Sequence, residues 1–284
     1  MRLRFPKLGS RLSRRLARRW QQKFEPGPPA AGNPRVLPVH VLTLAGKPNV
    51  AEVVLMWRSL ARAAGRPARF LVAGDGTLDA DDARLLQEAC PGAEVIEWCD
   101  IVAGDVRRAI GPYANQHPLG KKLAVLMSLR PHEPTLFTDA DVLYFDRSSS
   151  LAQGFGDAPG FLIDCERSLD ERLLDDQTTA PPVNSGVLLL TRPLDWSLAL
   201  ERYARVRDDP RRFTEQTMVH LAVHASGGRA LDPALHIVTV EDQFRWKDVC
   251  DPRAAVLRHY VGPVRHKMWN MAHRLGLDRP EPRP

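Results

Sequence analysis

The chain has 284 residues, 44% hydrophobic and 26% charged, with a formal net charge of +6. That length suits one domain of about 250 residues plus an arm, and the balance is that of an ordinary soluble globular protein. No stretch approaches the roughly 20 consecutive apolar residues of a transmembrane helix, which excludes a helical membrane-spanning class.

The charge is concentrated at the start. Residues 1–24 carry nine Lys or Arg and no acidic residue, so the remainder is slightly acidic, +6 − 9 = −3. In this arm Leu8, Leu12, Leu16, Trp20 and Phe24 recur every four residues, with Arg11, Arg14, Arg15, Arg18 and Arg19 between them. The pattern predicts a basic amphipathic helix, suited either to an anionic membrane surface or to packing on its own domain. The basic start has no continuous apolar segment of the kind a secretory leader carries, so a cytoplasmic location is expected, peripheral on the inner face of the membrane if the arm binds lipid. No nucleic-acid-binding motif accompanies the charge, and nucleic acid is not an expected partner. Residues 25–34, rich in Pro and Gly, break the helix and read as a linker, which starts the folded domain (residues 35–284) near Arg35.

A strand is predicted over Val36–Gly46, then an amphipathic helix ending at Gly65 and a second strand closing on Gly74, Asp75 and Gly76. A helix follows from Asp79 to about Ala89 with an acidic, capping start, and a third strand is predicted over Ala93–Asp100. Strand and helix alternate in this order when a parallel α/β sheet is built by crossover connections. No glycine-rich phosphate loop is present. His117–Leu129 reads as a helix leading into Leu136–Phe145, an apolar run interrupted by Asp139 and Asp141.

A strand would place Asp139 and Asp141 on one face, near its C-terminal end, where open α/β sheets bind ligands. Two adjacent carboxylates repel unless a cation, a proton or solvent relieves them, so a divalent metal is the first expectation. Gly160–Cys165 and Asn184–Thr191 read as later strands, with a polar, acidic loop around Asp170–Thr179 between them. Helices are expected from Leu194 and Arg212, and Ala255–Trp269 closes the domain. Cys90, Cys99, Cys165 and Cys250 lack metal-ligand spacing and read as free, buried thiols.

Four short stretches belong together: Asp139-Ala140-Asp141, Asn184-Ser185-Gly186, Glu215-Gln216, and His259 with Gly262, Arg265, Lys267 and Trp269. Their order and spacing across Arg35–Trp269 resemble nucleotide-sugar glycosyltransferases of the GT-A fold, in particular the family of glycogenin and the bacterial lipopolysaccharide galactosyltransferases. The resemblance implies a mixed, mainly parallel sheet flanked by helices, Mn²⁺ or Mg²⁺ held by Asp139, Asp141 and His259, and a nucleotide diphosphate sugar as donor. It implies donor contacts from Lys122, Asn184, Gly186 and Gly262, and a phosphate ligand that is either Arg265 or Lys267. It further implies that Glu215 and Gln216 line the sugar pocket, with Gln216 beneath the anomeric carbon, and transfer with retention to a glycan or glycolipid hydroxyl. If the reaction instead inverts, Asp164 at a strand end is the candidate base. The rival readings are a haloacid-dehalogenase-like phosphatase, which sets its acidic pair early in the domain, and a non-catalytic binding module on the same fold.

Overall fold

The computed structural model describes residues 6–27, 35–175 and 179–279. Met1–Phe5, most of the expected linker (28–34), part of the acidic loop (176–178) and residues 280–284 lie outside the described residues. The chain runs α1 (Pro6–Gln22), β1 (Val36–Ala45), α2 (Val50–Ala63), β2 (Arg66–Gly74), α3 (Ala80–Ala89) and β3 (Ala93–Glu97). It continues with α4 (Trp98–Ile101), α5 (Gly104–Gln116), α6 (Pro118–Ser128), β4 (Thr135–Thr138), β5 (Val142–Tyr144), β6 (Gly160–Ile163) and β7 (Val183–Leu190). The last elements are α7 (Ser197–Tyr203), α8 (Thr214–Ala225), β8 (Arg229–Ala230), β9 (His236–Val238), β10 (Leu257–His259) and α9 (Arg265–Arg274). Of the third strand expected over Ala93–Asp100 the structure keeps Ala93–Glu97 and turns Trp98–Ile101 into a short helix.

Among the described residues a seven-stranded sheet has the order β3-β2-β1-β4-β7-β6-β8. The β1, β2, β3 and β4 strands are parallel, β7 enters antiparallel between β4 and β6, and β8 lies parallel to β6. Helices cover both faces, so the central strands are apolar on both sides. Along β1, Leu37, Val39 and Val41 join Val53, Trp57 and Leu60 of α2 in one core, while Leu42 joins Leu123 of α6 and Met218 of α8 in the other. The same alternation sends Leu136 and Phe137 of β4 to opposite cores.

The acidic segment departs from the expected single strand. The chain leaves the large sheet at Thr138, and β5 belongs to a second sheet of order β5-β10-β9. Asp139 and Asp141 therefore sit in the link between two sheets and not on one face of a strand, although still beyond the C-terminal end of β4.

The arm forms the expected helix and packs on α9 through a third apolar cluster containing Ala17, Met268 and Trp269. Trp20 stacks on His273 with ring centroids 3.4 Å apart, Phe24 meets Trp269 edge-on at 5.7 Å, and Asn270 Nδ2 donates to Ser13 Oγ at 2.8 Å. A four-residue spacing advances about 40° around a helix at each step, so the expected apolar stripe does not stay on one face. Trp20 and Phe24 reach the domain, whereas Leu12 remains exposed. No helix among the described residues is long and apolar enough to cross a membrane. The four cysteines are free, but only Cys90 and Cys250 are buried.

Candidate metal and donor site

Two register choices assemble the site. Because β10 pairs antiparallel with β5, His259 lies opposite Val142, and the Tyr260 amide donates to the Asp141 carbonyl at 2.8 Å. On the other side the Asp139 amide donates to the Gly186 carbonyl at 2.7 Å, which brings the start of β7 against the acidic link. Residues more than 100 positions apart in sequence thus meet at one end of the large sheet.

Ligand atoms of Asp139, Asp141 and His259 all lie within 4.8 Å of one another, the only such trio among the described residues. His259 Nε2 is 3.0 Å from Asp141 Oδ1 and 3.7 Å from Asp139 Oδ2. Its Nδ1 is 2.8 Å from Asn184 Oδ1. The Asn184 amide is oriented by its other contacts, Nδ2 donating to Asp164 Oδ1 at 3.1 Å and Oδ1 accepting from the Gly186 amide at 3.1 Å. An oxygen facing Nδ1 can only accept, so Nδ1 donates to Asn184 and the ring turns Nε2 toward the two carboxylates. This is the arrangement by which a neighbouring group fixes a metal-ligating histidine.

Gly186 is required by the same packing. A Cβ placed there would lie 2.1 Å from His259 Cε1 and 2.5 Å from Nδ1. Asn184 and Gly186 therefore seat the histidine, and both also line the cavity where sugar contacts are expected of them.

Each carboxylate has a cation. Asp141 Oδ2 accepts from Arg265 Nε at 3.0 Å and from Nη2 at 2.5 Å. Burial pushes the Asp141 carboxyl upward, but His259 and Arg265 outweigh it and hold the group well below the usual carboxylate range. The buried Lys122 ammonium lies 2.9 Å from the Asp139 carboxylate, 3.2 Å from Ser185 Oγ and 3.8 Å from Glu215 Oε1. Burial lowers its pKa, yet Asp139 and Glu215 more than offset this and raise it. Lys122 is thus a permanent countercharge beneath the acidic pair.

Glu215 is buried, and its Oε1 has no hydrogen-bond partner. Burial raises its pKa despite the partly compensating Lys122. A carboxyl whose folded pKa is raised contributes stability that is present below the ordinary glutamate value and lost as pH rises through the raised one. Glu215→Gln is therefore expected to flatten this part of the stability profile. In denaturant midpoints measured from pH 5 to 8, its difference from the unaltered protein should move in the variant's favour as pH rises.

These groups line a cavity of about 380 Å³. The sequence-predicted residues Lys122, Asp139, Asp141, Asp164, Asn184, Gly186, Glu215, Gln216, His259, Gly262 and Arg265 all reach it. Gln216 Nε2 donates to the Ser168 carbonyl at 2.8 Å, and Ser168 also lines the cavity. Asp164 accepts from Asn184 and, through Oδ2 at 2.7 Å, from the Ser168 amide, so both of its oxygens are engaged. Lys267 is the exception. It is buried under residues 245–247, its Nζ donating to the Arg245 and Lys247 carbonyls at 3.1 and 2.8 Å and lying 3.4 Å from Asp242. Two residues beyond Arg265 on a helix is about 200° around the axis, so the two cations cannot share a face, and Arg265 takes the cavity side.

The sequence reading missed Glu52 of α2. It is buried, with Oε2 accepting from Asn49 Nδ2 at 2.8 Å and 3.9 Å from Arg265 Nη1, and burial raises its pKa. A lone Glu in an amphipathic helix gives no sign of this; only the Arg265 position does. A slightly larger cavity of about 410 Å³ lies among Ser59, Tyr144 and Arg274, away from the trio, and mixes Asp146 and Asp251 with its arginines.

No protein-family model matches the chain, and no curated protein matches it. Solved structures do. A galactosyltransferase, LgtC, in complex with donor and acceptor sugar analogues superposes with a TM-score of 0.56 at 18% identity, covering 86% of this chain and 97% of that one. The bifunctional glycosyltransferase WbbM matches with a TM-score of 0.52 at 12% identity, over 82% of this chain and 49% of that one. The glycosyltransferase GlyE of Streptococcus pneumoniae TIGR4 matches at 0.50 and 12%, over 83% and 60%. The chain therefore has the GT-A fold expected from its sequence.

Proposed function

We propose that the chain is a metal-dependent glycosyltransferase that moves a hexose from a nucleotide diphosphate sugar to an acceptor hydroxyl with retention at the anomeric carbon. The observation that carries this reading is the convergence of Asp139, Asp141 and His259 in a polar cavity of a fold shared with a galactosyltransferase.

The donor set fits a divalent ion. Two carboxylates and an imidazole whose Nε2 faces them suit Mn²⁺, with Mg²⁺ as the harder alternative. When bound, such an ion neutralises negative charge gathering on the departing nucleoside diphosphate.

The remaining work falls to the chain's own residues. Lys122 holds Asp139, and Asn184 holds the His259 ring, so both ligands are oriented in advance. Arg265 is half-exposed on the cavity wall and opens α9, and its planar fork suits a diphosphate. Buried Glu215 faces the cavity to hydrogen-bond a sugar hydroxyl, and Gln216 faces the same space as the residue beneath the anomeric carbon. Asp164 accepts one hydrogen bond on each oxygen, from Asn184 and from the Ser168 amide, and acts by positioning them, the leaving phosphate taking the acceptor proton. The acceptor is a glycan or glycolipid, and the place of work is the cytoplasmic face of a membrane.

Incubation with a panel of nucleotide diphosphate sugars and Mn²⁺ tests this. Release of the nucleoside diphosphate from one donor, with the transferred sugar keeping its anomeric configuration by proton NMR, is the expected result. Phosphate release from simple phosphomonoesters without any donor turnover would return the phosphatase reading. That reading expects the acidic pair early in the domain, whereas here it follows the fourth strand.

A further inference from the structure

The segment 243–249 alternates aromatic and basic residues, Phe244-Arg245-Trp246-Lys247, and ends in Val249. Phe244, Trp246 and Val249 are 51%, 47% and 42% exposed, and Leu12, one turn along α1 from Gly9, is 50% exposed. Large apolar side chains scattered singly on a surface need no explanation, but these are neighbours. The loop meets α1 at Gly9, where an added Cβ would lie 3.1 Å from the Trp246 amide nitrogen. Arg11, Arg15, Arg18 and Arg19 are exposed along the same helix.

A buried polar network also underlies the loop, and this accounts for the motif residue the cavity does not use. Buried Arg258 donates from Nη2 to Asp242 Oδ1 at 2.9 Å and pairs with Asp248, while Lys267 holds the carbonyls of residues 245 and 247. The Val249 amide donates to Asp242 Oδ2 at 3.0 Å. A core of buried ion pairs is an expensive way to shape a loop whose aromatic side chains point outward, unless those side chains have a partner.

We infer that α1 and residues 243–249 form one docking surface for an anionic lipid bilayer, with Phe244 and Trp246 entering the interface and the α1 arginines lying among the head groups. Alternation of Arg or Lys with Trp and Phe suits the headgroup region, which accepts aromatic rings and cations together. The charge fixes the partner's sign: no carboxylate lies in residues 6–24, and Arg245 and Lys247 add to the same surface. The surface borders the cavity, since Arg14 Nη2 donates to the carbonyl of Pro263, which lines it, and Cys165 on the cavity wall meets the backbone of Val240 just before the loop. For the proposed transfer reaction, on which this last step rests, the acceptor is then a sugar carried on a lipid and presented from the bilayer.

The test uses the full chain and vesicles of phosphatidylcholine alone or of equimolar phosphatidylcholine and phosphatidylglycerol. Co-sedimentation with the anionic vesicles only, weakened by added salt, is expected. Phe244→Ser with Trp246→Ser should cut partitioning roughly tenfold or more, and Arg11→Glu, Arg15→Glu and Arg18→Glu together by about two orders of magnitude. Trp246 fluorescence should shift to the blue on anionic vesicles and be quenched by brominated lipid. All these residues are exposed and outside the cavity, so nucleotide binding should be unchanged in both variants, which separates failure of this surface from failure of the transferase reading. Unaltered vesicle binding by the aromatic variant would overturn the inference, as would binding to nucleic acid in place of vesicles. So would a dimer in solution that the aromatic substitutions dissociate.

Discussion

Asp141→Asn is expected to lower Mn²⁺ affinity on the order of 100-fold or more and to abolish sugar transfer, with the fold retained. The substitution keeps the side chain's shape and removes the charge on which His259 and Arg265 converge. Removing one partner of a fully buried ion pair typically costs about 3–5 kcal/mol. Here Arg265 is 46% exposed and can be resolvated, so the stability loss should be nearer about 1–2 kcal/mol. It should also depend on pH with a definite sign. Asp141 has a lowered folded pKa, so its contribution is present above the ordinary carboxylate value near about 4 and disappears as pH falls through the folded value. Chemical denaturation at pH 7 should separate variant and unaltered protein, and the separation should shrink on acidification. Manganese EPR, counting free ion, reads the affinity change independently of activity.

Gly186→Ala should be almost as damaging to metal binding without touching a ligand. Its Cβ would sit 2.1 Å from the His259 ring, a distance no small adjustment of a buried ring accommodates. The ring must turn or retreat, breaking its bond to Asn184 and moving Nε2 away from the carboxylates. The expected loss is about 10- to 100-fold in metal affinity, the range for groups that orient a ligand. Asp139 and Asp141 keep their partners Lys122 and Arg265, so a second substitution at His259 in the Gly186→Ala background should add little. Equal Mn²⁺ affinity in Gly186→Ala and the unaltered protein would remove His259 from the ligand set.

The first half of the domain was legible because helix and strand periods are local. The β1-α2-β2-α3-β3 run follows apolar spacing and a capping signal at Asp79, whose side chain accepts from the Asp81 and Asp82 amides. The site's membership was legible through its short motifs and their order. What each residue does there was not. Lys267 and Arg265 look interchangeable in sequence, and only the helix turn that starts at Arg265 sends one to the cavity and the other beneath the 243–249 loop. Asn184 orients a histidine 75 positions away, a contact decided by strand pairing between distant segments. Helix α5 carries no predicted element, because Gly104, Gly111 and Pro112 are poor helix formers and packing of Val106, Ile110 and Tyr113 overrides them. The Leu136–Phe145 run read as one strand because apolar composition cannot reveal that its two ends serve different sheets.

The central claim is that Asp139, Asp141 and His259 bind a metal that completes a nucleotide diphosphate site with Arg265. Isothermal titration of the unaltered protein with nucleoside diphosphates, with and without Mn²⁺, tests it most directly. The account predicts that one nucleoside diphosphate binds, that Mn²⁺ strengthens its binding at least tenfold, and that the free nucleoside does not share the gain. Nucleotide binding indifferent to Mn²⁺, or no nucleotide binding at any metal concentration, would contradict it.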